Sequence, residues 1–134
     1  MKKPNPFLLI LMLLLMATAG CHHKPVKAVI LIPSTDNALP SAHAEAGGVL
    51  EFKMDETTPP NSTFQVQFSQ QICNPNDSLQ GTNTQPVICH VIANSGDYNV
   101  TIVETIGGTK TSHGRTVPPK ELQLYVEPCK NCGH

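Results

Sequence analysis

Beyond residue 48, apolar and polar positions alternate with a period of two. In residues 49–55, Leu50, Phe52 and Met54 fall on one side and Glu51, Lys53 and Asp55 on the other. Residues 63–69 repeat the pattern with Phe64, Val66 and Phe68 against Gln65, Gln67 and Ser69. Residues 97–105 set Tyr98, Val100 and Ile102 against Asn99, Thr101 and Val103, and residues 121–127 set Leu122, Leu124 and Val126 against Gln123 and Tyr125. Such alternation predicts strands with one face in a core and the other in water. Two segments depart from it. Residues 86–92 are apolar on both faces and predict a central strand, and residues 28–32 (Ala-Val-Ile-Leu-Ile) form a β-branched run closed by Pro33. That second run reads as a buried strand or as a membrane-proximal segment.

Turn-forming clusters separate these runs: residues 57–61, 74–77, 94–97, 107–108 and 118–119. Twelve prolines and nine glycines at this spacing exclude long helices. Five or six short strands with turns between them predict an all-β fold, a small antiparallel β-sandwich. Residues 33–48 are small, polar and bounded by Pro and Gly, which reads as a linker with a helical turn at most. The expected organisation is a leader over 1–20, a tether over 21–47 and a sandwich domain over 48–134.

The leader opens with Lys2-Lys3, continues through ten uninterrupted apolar residues from Phe7 to Met16, and ends in Ala17-Thr18-Ala19-Gly20 before Cys21. Cations, a short apolar core and small residues make a secretory signal. The apolar run falls short of the ~20 residues that span a bilayer. Ala19-Gly20-Cys21 resembles the lipobox of bacterial lipoproteins, with Thr18 standing where that family prefers an aliphatic residue. The resemblance implies cleavage before Cys21, lipid on its sulfur, and a chain held to a cell-envelope membrane facing the periplasm. His22 in place of an aspartate leans toward the outer membrane. Two or three acyl chains give stable anchoring where one is marginal.

Gly96-Asp97-Tyr98-Asn99-Val100-Thr101-Ile102 is similar to a late strand of immunoglobulin-like domains. The resemblance implies that Tyr98 packs at a corner and that its hydroxyl bonds back to the preceding loop. Val100 stands where antibody domains carry a cysteine, so their inter-sheet disulfide is not implied.

Loss of residues 1–20 from the 134 leaves 114, enough for one core. Of nine Lys and Arg, two lie in the leader. The remaining seven stand against ten Asp and Glu, a balance of −3. With no basic stripe and no Trp, nucleic acid is not an expected partner.

Five cysteines become four once Cys21 carries lipid, and an even set in an exported chain predicts disulfides. Proximity in sequence favours Cys73 with Cys89 and Cys129 with Cys132. The tail Cys129-Lys130-Asn131-Cys132-Gly133-His134 also admits a zinc or copper site on Cys129, Cys132 and His134, or thiol redox chemistry. His90, within an apolar run, reads as a core or edge residue, and His22-His23 as a solvated leader to the tether. Ser112-His113 has no acyl-transfer context, and no catalytic motif stands out. The expected function is a lipid-anchored cell-envelope module, non-enzymatic, that binds or supports another envelope protein. The alternative is a metal-binding or thiol-redox accessory lipoprotein built on the tail.

Overall fold

The structure is a computed structural model and describes residues 24–75, 79–108, 114–130 and 132. Its ten strands are β1 (Lys27–Ile32), β2 (Ala42–Glu45), β3 (Val49–Met54), β4 (Thr63–Phe68), β5 (Cys73–Asn74), β6 (Leu79–Thr82), β7 (Val87–Val91), β8 (Gly96–Ile106), β9 (Arg115–Thr116) and β10 (Lys120–Glu127). They form two sheets. A four-stranded sheet runs β1-β3-β7-β5; a six-stranded sheet runs β2-β10-β8-β4-β6, with β9 paired to β8. The fold is all-β, as the alternation predicts. The sheets are mixed rather than purely antiparallel, because β1 pairs with β3 and β2 with β10 in parallel.

The alternating residues build the core. Leu50, Phe52 and Met54 of one sheet are buried, as are Phe64, Val66, Val100, Ile102, Leu122, Leu124 and Val126 of the other. Phe52 and Phe68 meet edge to face between the sheets, with ring centroids 6.2 Å apart. Burial of each large side chain contributes about 1.5–3 kcal/mol. Cys73 and Cys89 are fully buried within the same core and joined as a disulfide.

The domain begins earlier than the sequence suggests. The boundary expected at residue 48 lies near the start of β1, because residues 27–45 belong to the sheets. Ile30 and Ile32 of β1 are buried, as is Ala44 of β2. The chain runs in one sheet as β1, crosses to the other as β2, and returns as β3. Gly47-Gly48 makes the return possible. Gly47 has φ +78°, a conformation that suits glycine, and a Cβ on Gly48 would lie 2.6 Å from the Val26 carbonyl oxygen. β6 also lay outside the expected strands. Its Gly81 is covered by the Phe64 ring of the paired strand, which fills the place of the missing side chain.

Candidate functional site

Three features of the molecule bear on function: the C-terminal cysteine pair, the outer face of the four-stranded sheet, and the outer face of the six-stranded sheet.

Cys129 and Cys132 follow β10 directly. Their Cα atoms are 5.4 Å apart and their sulfurs are joined. Glu45, at the end of β2, brings its carboxylate beside them, so that one donor atom of each of the three residues lies within 4.8 Å of the others. The Lys130 backbone N–H donates to Glu45 Oε1 at 3.0 Å and holds it there. Parallel pairing of β2 with β10 causes this approach, since it sets Glu45 opposite Glu127. His43, also on the outward side of β2, stacks on Tyr125 at 5.0 Å and places Nδ1 3.2 Å from Glu127 Oε1. A hydrogen bond from Lys130, its charge, and the nearby His43 hold the Glu127 carboxyl below the usual glutamate range. Bonded sulfurs offer no thiolate to a metal or nucleophile; reduction would release two beside a carboxylate. His134, a candidate ligand, and Cys21, the lipidation candidate, lie outside the described residues, as do His22, His23, Ser112 and His113. Glu45 and His43 were hidden because 42–45 (Ala-His-Ala-Glu) read as linker. The alternation within those four residues was the signal.

The four-stranded sheet presents an apolar outer face. Register places Val29 beside Glu51 and Glu51 beside Ile88, and sets Leu31 next to Lys53. Val29, Leu31, Ile88 and Ile92 are each about half exposed, between 49% and 53%. Single exposed hydrophobics are ordinary on a protein surface; here four stand together over adjacent strands. The charged members of this face are Lys27, Lys53 and Glu51, and Glu51 is largely covered and ion-paired with Lys27. His90 sits on the exposed side of β7, opposite Val49. β7 is therefore a central strand, flanked by β3 and β5, but only one of its two apolar faces is covered.

The six-stranded sheet is polar outside. Thr82, Thr63, Thr105 and Thr116 line up across four strands, and Gln80 and Gln65 stand in the adjacent row beside Val103. All of these except Thr116 border a shallow cavity of about 380 Å³. Cross-strand threonine pairs stabilise a sheet, and their hydroxyls offer uncharged donors and acceptors to a ligand.

Between the sheets lies a buried ion pair. Lys120 Nζ is 2.6 Å from Glu104 Oε2 and donates to the Pro33 carbonyl at 2.7 Å. The Tyr98 hydroxyl donates to the Asn94 carbonyl at 2.7 Å, closing the loop before β8.

No protein-family model matches the chain, and no curated protein matches it. Among solved structures, a cysteine protease inhibitor from Entamoeba histolytica is 7% identical, with a TM-score of 0.44 over 78% of this chain and 100% of its own. The solution structure of amebosin is 14% identical, with a TM-score of 0.29 over 78% of this chain and 100% of that one. At these scores neither likeness assigns an activity to this chain.

Proposed function

We propose that the protein is a lipid-anchored, non-catalytic module of the cell envelope that binds or supports another envelope component. The contrast between its two outer faces carries this reading. One face is apolar and bears two lysines against one covered glutamate; the other is polar, with threonine and glutamine on β4, β6 and β8 and the acids Glu121, Glu127 and Glu45 on β10 and β2. Faces this different suit a domain with one side toward its support and the other toward a partner. The leader and Cys21 supply the support, and five residues separate Cys21 from the start of β1. The membrane is then reached through lipid on Cys21, the outer membrane before the inner, and the domain faces the periplasm. Fractionation of cells expressing wild type and Cys21→Ala tests the anchor. Wild type is expected with the membranes and the variant in the soluble fraction or unprocessed. Equal membrane recovery of both overturns the reading.

A second reading is favoured by the approach of Glu45 to the tail. In a reduced state, Cys129, Cys132 and Glu45 would provide two sulfurs and one oxygen to zinc or copper, with His134 as a further donor. A thiol count on denatured protein, paired with metal analysis, separates the two readings. Four oxidised cysteines and no metal dismiss the second, whereas two free thiols with bound metal establish it.

A further inference from the structure

We infer that the outer face of the β1-β3-β7 sheet lies on the anionic surface of the bilayer that carries the lipid, so that the domain is pressed against the membrane by a strand face as well as by its acyl chains. The inference rests on the proposed anchoring at Cys21.

Four observations carry it. The first is reach. The six residue-to-residue steps from Cys21 to Lys27 extend at most roughly 21 Å, and β1 is itself a member of the face. A lipidated Cys21 therefore holds this face within one short span of the bilayer. The second is composition. Val29, Leu31, Ile88 and Ile92 are half exposed on adjacent strands, the apolar side chains that enter the boundary between headgroups and acyl chains. The third is charge. Lys27 and Lys53 outnumber Glu51 on this face, and Lys24 precedes it, while the mature chain as a whole is acidic. A locally basic, apolar surface on an acidic domain complements anionic headgroups. The fourth is the state of Glu51. Its carboxylate is ion-paired with Lys27, and its side chain is 13% exposed, so the one acid on this face among the described residues is already neutralised and covered. A second copy of the chain would bring the same two lysines into the contact from both sides.

The sequence contains no tryptophan, which allows a single one to report on position. Full-length lipidated protein carrying Leu31→Trp is reconstituted into phosphatidylethanolamine–phosphatidylglycerol vesicles whose acyl chains carry bromine, a contact quencher of indole. Ile88→Trp repeats the measurement on a second strand, in case one variant folds poorly. Gln67→Trp, exposed on β4 of the opposite sheet, is the reference. Emission from positions 31 and 88 is expected to be quenched at least about twofold more than emission from position 67. Equal quenching at all three positions overturns the inference. A shielded but unquenched tryptophan at 31, with shielding that grows as protein crowds the vesicle, shows a second copy on the face and overturns it too. Failure of the anchoring reading looks different, because the wild-type chain itself then stays in the aqueous phase with unmodified Cys21.

Discussion

Replacing Lys120 with methionine would remove one half of a pair sealed between the sheets. Glu104 is 1% exposed and Lys120 6%, with the ammonium 2.6 Å from one carboxylate oxygen. The other oxygen, Oε1, is buried without a hydrogen-bond partner, and the neighbour across the strands is Phe64. Breaking a buried pair in this way costs about 3–5 kcal/mol, because a carboxylate is left uncompensated in a poorly polarisable site. The expected loss for Lys120→Met is of that size, a large fraction of the total stability of a domain this small. Lys120 also ties Pro33, just after β1, to β10, so amide exchange in residues 33–41 should accelerate in the variant. The double variant Glu104→Leu/Lys120→Met has no orphan charge. Its stability should return to wild type or exceed it by about 1–4 kcal/mol. Urea unfolding followed by far-ultraviolet circular dichroism measures all four corners of the cycle. A loss under about 1 kcal/mol for Lys120→Met, or a double variant as unstable as the two singles summed, would refute the reasoning.

Other consequences follow from single contacts. Serine at both Cys73 and Cys89 opens a link between residues 16 apart and should cost about 3 kcal/mol in the same unfolding assay; unchanged stability would mean that the bridge constrains nothing. Tyr98→Phe keeps the packing and removes the hydrogen bond to Asn94, for an expected loss of about 0.5–1.5 kcal/mol, and a neutral effect contradicts the corner role. The Asp55 carboxyl accepts hydrogen bonds from the Thr57 backbone and then its hydroxyl, which hold its pKa below the usual aspartate value. Its stabilisation is therefore complete above the ordinary aspartate pKa and disappears as pH falls through the lowered one. Thr57→Val should move the Asp55 midpoint upward in a carboxyl-carbon NMR titration, and an unmoved midpoint rejects the assignment.

The long alternating runs made β3, β4, β8 and β10 legible, because a strand half in a core writes its period into its residues. β7 was legible as central because both its faces are apolar, although the exposure of Ile88 and Ile92 was not, since an uncovered face and a covered one share a composition. β2 escaped notice because Ala42 and Ala44 are too small to mark an inward side, and its partner lies about eighty residues away in β10. β6 was hidden by Gly81, whose role depends on the Phe64 ring above it. Glu45 could not join the cysteine tail on paper, because only the parallel pairing of β2 with β10 brings it there. The disulfide of Cys73 and Cys89 could be expected from proximity; its position inside the core required the sandwich.

The proposed function stands on lipid at Cys21, which would hold this domain at a membrane. Metabolic labelling with an alkyne analogue of palmitate, followed by mass spectrometry of the mature amino-terminal peptide, tests it most directly. Label and diacylglycerol are expected on Cys21 in the wild type and neither in Cys21→Ala. A mature wild-type peptide with an unmodified Cys21, or one cleaved elsewhere, would contradict it.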